Sequence, residues 1–169
     1  TGATRGIGLA LARFYADKGC CLTLNGGHDK DALASVEKEL SKKTKVISCF
    51  GSVAEEKTAI TMTQKAMDTF GQIDLLIMSK AVIPHMLHRH SGKILNISSV
   101  WGEVGASCEA AYSASKGAIN ALTKALAKEL APSHISVNGI SFGVIDTDMN
   151  RCFDEEERAA LSEEIPYGR

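Results

Sequence analysis

The sequence predicts one α/β domain over residues 1–169, with a doubly wound parallel sheet covered by helices on both faces. Three observations predict this fold class. Helical patterns alternate with short apolar runs along the chain, as in domains built from strand–helix–strand units. The short apolar runs are typical of strands buried on both faces of a parallel sheet. A glycine-rich turn, Gly2 to Gly8, leads directly into the first helical pattern.

Each element is predicted from its periodicity and from signals at its ends. Gly19 follows the first helix at a C-cap position, Gly71 ends the third helix, and the long fifth helix ends before Pro132. The predicted helices are 6–18, 30–42, 54–70, 80–89, 112–130 and 154–163, and the predicted strands are 20–24, 45–50, 73–77, 93–98 and 135–140.

Two places in the pattern depart from a complete sheet. The chain begins inside the glycine turn, so we expect the strand that should lead into Gly2 to be missing. Ile77 runs directly into a helical pattern, whereas a strand-to-helix connection needs about two to six residues. We therefore expect a mid-chain segment to be missing after Ile77.

Composition excludes some classes of function. The chain is 44% hydrophobic and 23% charged, with a net charge of -1, which gives no electrostatic basis for binding nucleic acid or an anionic membrane. No apolar run is as long as a membrane span, and we expect no signal peptide. The cysteines form no CxxC pair, so we expect reduced thiols in a cytoplasmic protein; they are Cys20, Cys21, Cys49, Cys108 and Cys152.

Tyr112 and Lys116 form the most informative pair in the sequence. They are four residues apart on a predicted helix and so share one face. A phenol, with an ordinary pKa near 10, transfers protons poorly at neutral pH unless a neighbouring ammonium favours the phenolate. Ser99 lies at the end of a predicted strand, 13 residues before Tyr112. The three residues predict proton transfer to or from a carbonyl or alcohol oxygen.

The glycine turn predicts a dinucleotide cofactor. Gly2 permits a tight turn, Gly6 lets the backbone approach a pyrophosphate at a helix N-terminus, and Gly8 permits close packing. The end of the second predicted strand, around Asn25, has no carboxylate to accept a hydrogen bond from a ribose 2′-hydroxyl. Arg5 can instead bind a 2′-phosphate. These features favour NADP(H).

The chain resembles the short-chain dehydrogenase/reductase family, and within it the 3-oxoacyl-[acyl-carrier-protein] reductases. The resemblance implies a three-layer α/β/α Rossmann fold. It also implies NADPH-dependent reduction of a carbonyl to an alcohol, with a 3-oxoacyl thioester on acyl carrier protein as the substrate, in fatty acid biosynthesis. The stretches that carry the resemblance are 1–8, 70–76, 79–86, 92–100, 112–132, 135–149 and 165–169.

The resemblance also assigns roles to residues. Ser99 would bond the substrate oxygen, Tyr112 would transfer the proton, and Lys116 would also contact the nicotinamide ribose. Ile145 and Thr147 would contact the nicotinamide amide, whereas Ser52 and Val53 would lie at the adenine. The predicted catalytic residues are therefore Ser99, Tyr112 and Lys116, and the predicted cofactor-binding residues are Gly2, Thr4, Arg5, Gly6, Ile7, Gly8, Asn25, Ser52, Val53, Tyr112, Lys116, Ile145 and Thr147.

The sequence departs from the family in several places. After Ile77 the family has an Asn-Asn-Ala-Gly segment, a helix and further chain, including a catalytic asparagine, and after Gly168 it has a helix and a C-terminal strand. Phe142 stands where the family usually has proline, and Ser52 where it usually has aspartate. Two alternatives therefore stay open: a short-chain reductase of another small or protein-attached ketone, and a dinucleotide-binding scaffold without catalysis.

Two further surface features of the sequence bear on partners and metals. A stripe of small residues on the long helix predicts close packing against a second copy of the chain; its members are Ala114, Ala118, Ala121 and Ala125. The resemblance implies a homodimer or homotetramer, and the alternative is that a missing part of the same chain covers this stripe. His85, His88 and His90 have no carboxylate or cysteine nearby to complete a metal site, so we expect no metal.

Overall fold

The computed structural model describes residues 1–77, 82–145, 147, 154–163 and 165. Strands and helices alternate through these ranges, as the sequence predicts. The strands are β1 (Leu22–Gly26), β2 (Val46–Phe50), β3 (Leu75–Ile77), β4 (Gly92–Ser99) and β5 (Ile135–Phe142), and the helices are α1 (Gly6–Asp17), α2 (Lys30–Leu40), α3 (Glu56–Phe70), α4 (Ile83–Arg89), α5 (Trp101–Val104), α6 (Ala110–Leu130) and α7 (Glu155–Glu163).

Every strand pair in the described chain is parallel. β1 pairs with β2, and β3, β4 and β5 form a second ladder in that order. The register places Gly26 opposite Phe50, and Ser99 opposite Phe142. The carboxyl ends of paired strands therefore lie side by side, and the predicted parallel α/β class is confirmed.

The helices cover both faces of the sheet because of the order of the strands. The chain passes from β1 outward to β2 through α2, and returns from β2 to β3 through α3. Right-handed crossovers in opposite directions place α2 and α3 on opposite faces. One buried core joins α1 and α2 to β1, and a second joins α4 and α6 to β3, β4 and β5.

Helix ends agree with the sequence where a glycine or a capping side chain sets them. Gly71 ends α3 with φ of 74°, and Gly19 follows α1 with φ of 73°, both in the left-handed region that glycine adopts without strain. The Asp29 side chain caps α2 by accepting from the Ala32 N–H over 2.8 Å.

Some bounds differ from the prediction. β1 begins two residues later than predicted, so Cys20 and Cys21 precede the strand. The first part of the predicted helix 80–89 lies outside the described residues, and α4 occupies 83–89. The four-residue helix α5 was not predicted, because so short a segment has no measurable periodicity. Within the described ranges, no helix has both the length and the hydropathy needed to cross a bilayer.

A cavity of about 440 Å³ lies between β1 and β3. Neither strand pairs with the other, so each keeps one edge of backbone groups facing this cavity. Side chains from α1 and α3 also line it, including Leu11, Ala12 and Tyr15 from α1 and Met62, Ala66 and Phe70 from α3. Two strand edges and two helices therefore border this space.

The first residues of the chain lie at one end of this cavity. The Thr1 α-amino group donates to the Ile77 carbonyl over 3.4 Å, and the Ala3 N–H donates to the Asn25 carbonyl over 2.9 Å. These bonds connect the ends of β3 and β1. Burial lowers the pKa of the Thr1 α-amino group, because its charged form loses contact with water.

We expect an apolar extension of five residues, the length of β1, to stabilise the chain when it is added before Thr1. Such a segment would pair with both free strand edges and bury its side chains under α1 and α3. It should raise the melting temperature by roughly 10 °C, which corresponds to about 3 kcal/mol for a domain of this size. Thermal unfolding followed by circular dichroism measures the change.

Two control proteins separate the possible causes. A Gly-Ser extension of equal length adds chain without strand propensity, and an acetylated Thr1 removes the ammonium without adding a strand. If either control raises the melting temperature as much as the apolar extension does, the cavity is not a strand site.

Candidate active site

The predicted site residues gather at one edge of the sheet, where the strands end. Asn25 is the last residue but one of β1, and Ser99 is the last residue of β4. Ser52 and Val53 follow β2, while Ile145 and Thr147 follow β5. Because the strands are parallel, these segments share one edge, which is where α/β sheets bind their ligands.

Ser99 is held at the end of β4 by the turn that follows it. The residue is 6% exposed, and its Oγ accepts a hydrogen bond from the Trp101 N–H over 3.3 Å. The Val100 N–H donates to the Phe142 carbonyl over 2.8 Å, which ties the end of β4 to the end of β5. The hydroxyl hydrogen of Ser99 stays available for another acceptor.

Tyr112 and Lys116 are neighbours on α6, as their spacing predicts. Lys116 Nζ lies 5.5 Å from the centre of the Tyr112 ring and donates to the Ile97 carbonyl over 3.3 Å. The ammonium therefore lies between the phenol and the last residues of β4.

The direction of α6 places Tyr112 near the strand end. Asn96 contacts Thr123, whereas Ser98 contacts Lys116, so α6 runs antiparallel to β4. Tyr112 lies one helical turn before Lys116, and therefore further toward the carboxyl edge of the sheet. The structure thus brings Tyr112 and Lys116 to the edge at which Ser99 ends β4.

The glycine turn forms a backbone cradle at the start of α1. Gly2 and Gly6 have φ of 64° and 53°, values that favour glycine. A Cβ on Gly8 would lie 2.1 Å from the Gly2 carbonyl oxygen, so only glycine fits. The N-cap residue Arg5 makes no side-chain hydrogen bond to the first turn. The free N–H groups of this turn suit an anion such as a pyrophosphate.

The glycine turn lies beside the segment that follows β5. A Cβ built on Gly6 would lie 3.7 Å from the Thr147 methyl carbon, so the two segments are in contact range. Ile145 is 39% exposed near this point. The segments predicted to hold the pyrophosphate and the nicotinamide are therefore adjacent, and residues 146 and 148–153 lie outside the described part of the chain.

Asn25 has a structural role that the sequence did not reveal. It is 2% exposed, and its Nδ2 donates to the carbonyls of Cys49 and Gly51, each over 3.0 Å. These bonds join the end of β1 to the end of β2. The remaining polar atom of the Asn25 side chain is its oxygen. The contact of Asn25 with a cofactor stays a prediction.

The remaining predicted cofactor contacts lie on the surface of this edge. Val53 is 45% exposed, and Ser52 Oγ accepts from the Ala54 N–H over 3.3 Å, which shapes the turn before α3. Arg5 is exposed and takes no part in the ion pairs found among the described residues. An exposed surface with an unpaired guanidinium fits an adenosine carrying a 2′-phosphate.

Two contacts at this edge were missed by the sequence prediction. The Trp101 N–H fixes Ser99, and Glu103 Oε1 accepts from the Ser141 hydroxyl over 2.6 Å. Both arise from the unpredicted helix α5, and no sequence pattern indicates them. In the described part of the chain, no three His, Cys, Asp or Glu side chains converge in a metal-binding arrangement.

Comparison with known proteins identifies the family. The sequence model of the family described as short chain dehydrogenase matches residues 1–79 and 76–158. Over 206 aligned positions the chain is 32% identical to "Uncharacterized oxidoreductase YmfI" of Bacillus subtilis (strain 168), covering 100% of this chain and 83% of that protein. It is 29% identical to the 3-oxoacyl-[acyl-carrier-protein] reductase FabG of Haemophilus influenzae, covering 100% of this chain and 82% of FabG.

Solved structures show the same fold. An NAD+-bound xylitol dehydrogenase superimposes with a TM-score of 0.89 at 25% identity, covering 99% of this chain and 84% of that one. A gluconate 5-dehydrogenase from Burkholderia cenocepacia J2315, in complex with NADP and tartrate, also gives 0.89, at 27% identity, covering 100% and 80%. The chain belongs to the short chain dehydrogenase family, and the predicted Rossmann-type fold is confirmed.

The family match also locates the shortened part of the chain. It breaks into two pieces at residues 76–79, and the alignment with the Bacillus protein needs 206 positions for a chain of 169 residues. The expected lack of a mid-chain family segment after Ile77 is therefore confirmed.

Proposed function

We propose that this short-chain dehydrogenase reduces a carbonyl to an alcohol with NADPH, and that its substrate is a 3-oxoacyl thioester on acyl carrier protein. The observation that carries the proposal is the placement of the Lys116 ammonium 5.5 Å from the centre of the Tyr112 ring, at the sheet edge where β4 ends in Ser99. The substrate class is supported by relatives whose names describe 3-oxoacyl-[acyl-carrier-protein] reductases.

Ser99, Tyr112 and Lys116 have separate roles in the proposed carbonyl reduction. A bound nicotinamide supplies the hydride that reaches the carbonyl carbon. Ser99 donates its free hydroxyl hydrogen to the carbonyl oxygen and so orients the substrate. Tyr112 gives its proton to the same oxygen as negative charge develops there, and the Lys116 ammonium stabilises the charge left on the phenol.

The proposed cofactor site fits the cradle at the start of α1. The pyrophosphate would lie on the N–H groups of the glycine turn, and Arg5 would bind a 2′-phosphate. The adenine would lie against Val53, and the nicotinamide amide against Ile145 and Thr147. One of the similar structures holds NAD+ and another holds NADP, so the preference for NADP(H) rests on Arg5 and on the missing carboxylate after β1.

Two alternatives each have an observation in their favour. The likeness to a gluconate 5-dehydrogenase and a xylitol dehydrogenase favours a small ketone or polyol as substrate. The break in the family match at 76–79 favours a dinucleotide-binding scaffold, because the family's catalytic asparagine falls in the shortened part. Assays with acetoacetyl thioesters and free ketones, run beside an NADPH fluorescence titration, separate the three. Binding without turnover of any carbonyl would favour the scaffold.

Replacing Tyr112 by phenylalanine should remove the proton donor and keep the ring. We expect Tyr112→Phe to lower kcat for acetoacetyl thioester reduction by about 10²–10⁴-fold, the usual contribution of a positioned acid. NADPH affinity should change by less than about twofold, because the aromatic ring of residue 112 and Lys116 stay in place. The lost hydroxyl acts in the chemical step and contributes little to cofactor binding. Turnover is measured by NADPH absorbance, and affinity by NADPH fluorescence.

Tyr15→Phe is the matched control, since Tyr15 lies on α1 and lines the cavity between β1 and β3 instead of the sheet edge. It should keep the activity of the unmodified protein. Full turnover by Tyr112→Phe would remove Tyr112 from the reaction.

Replacing Arg5 should change the choice between the two cofactors. A charge-assisted hydrogen bond to a 2′-phosphate is worth about 1.5–3 kcal/mol, so Arg5→Gln should weaken NADPH binding by roughly 10- to 100-fold. NADH has no 2′-phosphate and should bind as before. Parallel fluorescence titrations with NADPH and NADH measure both affinities, with Arg13→Gln, an exposed arginine paired with Glu39, as control. Equal losses for the two cofactors would contradict the assignment of Arg5.

The outer face of α6 supports an assembly of two or four copies. Its small residues are exposed in the single chain, and Leu122 on the same side is 50% exposed. Small side chains let two such helices approach closely across a symmetry axis. We therefore propose that α6 packs against α6 of a second copy in a homodimer or homotetramer.

A charge on this face should prevent the assembly. Ala118→Arg would place a guanidinium against a second helix, so sedimentation at micromolar concentration should show a smaller species than the unmodified protein. Ala34→Arg on α2 is the matched control, because Ala34 is an exposed alanine on another helix. A monomeric unmodified protein would exclude the assembly.

A further inference from the structure

The peptide group of Lys116 is held from two sides by residues outside the proposed reaction. Ser98 Oγ donates to the Lys116 carbonyl over 3.1 Å. On the α5 side, a Cβ on Gly102 would lie 2.6 Å from the Lys116 carbonyl carbon and 2.8 Å from the Gly117 nitrogen. We infer that Ser98 and Gly102 are positioning residues that hold Lys116 beside Tyr112. The inference rests on the proposed carbonyl-reductase function.

Ser98 can make this contact in one direction only. The Lys116 carbonyl accepts hydrogen bonds and cannot donate, so the serine hydroxyl must be the donor. Ser98 is 3% exposed, and a buried hydroxyl without a partner is unfavourable compared with an apolar group of similar size. If residue 98 only filled space, an apolar side chain would make the folded chain more stable. The hydroxyl of Ser98 is therefore explained by its bond to α6.

Gly102 brings α5 into direct contact with the backbone of α6. The distances of 2.6 Å and 2.8 Å are shorter than any Cβ contact found in real proteins, so every other residue at this position would force the helices apart. The atoms that would be struck are two backbone atoms and the Lys116 Cβ, and none of them can rotate away. Glycine at this position therefore sets how near Lys116 lies to the segment that follows Ser99.

A second polar contact fixes the helix at another point. Thr123 donates its only hydroxyl hydrogen to the Ile119 carbonyl over 2.7 Å and accepts from Asn96 Nδ2 over 2.8 Å. Asn96 and Ser98 are two residues apart and share one face of β4. Lys116 and Thr123 are two helical turns apart. Contacts at both points prevent α6 from sliding or turning on the strand.

The position of the ammonium depends on this arrangement. Slipping a helix by one residue moves it by about 1.5 Å and turns it by about 100°. Lys116 Nζ reaches both the Ile97 carbonyl, at 3.3 Å, and the Tyr112 ring, at 5.5 Å from its centre. A shift of the Lys116 backbone therefore changes the point from which the ammonium reaches these two groups. Ser98 and Gly102 thus act on the reaction through Lys116.

The test compares Ser98→Ala and Gly102→Ala with two controls. Ser115→Ala removes an exposed hydroxyl that donates to the Tyr112 carbonyl within α6. Thr63→Ala removes a buried hydroxyl that bonds Ala59 in α3, and so lowers stability away from the site. Each variant is measured for thermal stability, for acetoacetyl thioester reduction across a range of pH, and for amide hydrogen exchange in residues 110–121.

Ser98→Ala and Gly102→Ala should lower turnover by about 10- to 100-fold, the usual effect of misplacing a reacting group by about 1 Å. Their pH profile should differ from that of the unmodified protein, because Tyr112 and Lys116 no longer keep their mutual geometry, and exchange in 110–121 should be faster. Ser98→Thr, which keeps the donor, should retain more turnover than Ser98→Ala. The two controls should keep the pH profile of the unmodified protein.

The inference is overturned if Ser98→Ala and Gly102→Ala lose no more turnover than Thr63→Ala and leave the pH profile and the exchange in 110–121 unchanged. Hydrogen exchange also separates this inference from the proposed function. If the unmodified protein reduces no carbonyl but both variants speed exchange in 110–121, the proposed function fails and the positioning of Lys116 stands. If exchange is unchanged there, the positioning fails whatever the activity.

Discussion

Parallel pairing of the strands is the constraint on which the whole site depends. A parallel sheet directs every carboxyl end toward one edge, so segments far apart in sequence become neighbours there. The turn after β1, the segment after β2, Ser99 at the end of β4 and the segment after β5 meet in this way. An antiparallel arrangement would divide the same residues between two edges, and no cofactor could reach them together.

The sequence predicted the alternation of elements, because apolar runs and helical periodicity act locally. It also predicted the helix ends at Gly19 and Gly71, where positive φ excludes most other residues. It placed the start of β1 two residues early, since Cys20 and Cys21 continue the apolar run without pairing to β2. It missed α5 altogether, because four residues form one turn whose stability comes from packing against α6 and not from its own sequence.

The sequence predicted those parts of the site whose residues lie close together along the chain, within one helix or one turn. Helix geometry alone makes Tyr112 and Lys116 neighbours. The glycine turn is visible in the sequence because Gly8 packs against Gly2, where no side chain fits. The bonds of Asn25 to the second strand, and of Ser98 to Lys116, could not be predicted. The first bond connects two paired strands, and the second connects a strand to a helix. Their partners are far apart in sequence, and a single sequence does not show which donors and acceptors meet.

The two halves of the sheet carry different parts of the proposed reaction. β1, β2 and α1 present the glycine turn, whereas β4, α5, α6 and β5 present Ser99, Tyr112 and Lys116. Two contacts join the halves at the site edge in the described part of the chain: the Thr1–Ile77 bond and the approach of Thr147 to Gly6. The shortened part of the chain lies where the second half begins, just after β3. Ser99 and Lys116, to which the proposal assigns catalytic roles, are held by contacts within their own half, between β4, α5 and α6. In the proposed reaction, a hydride donor held by the first half must meet a carbonyl held by the second, so the reaction also depends on the contacts that join the two halves.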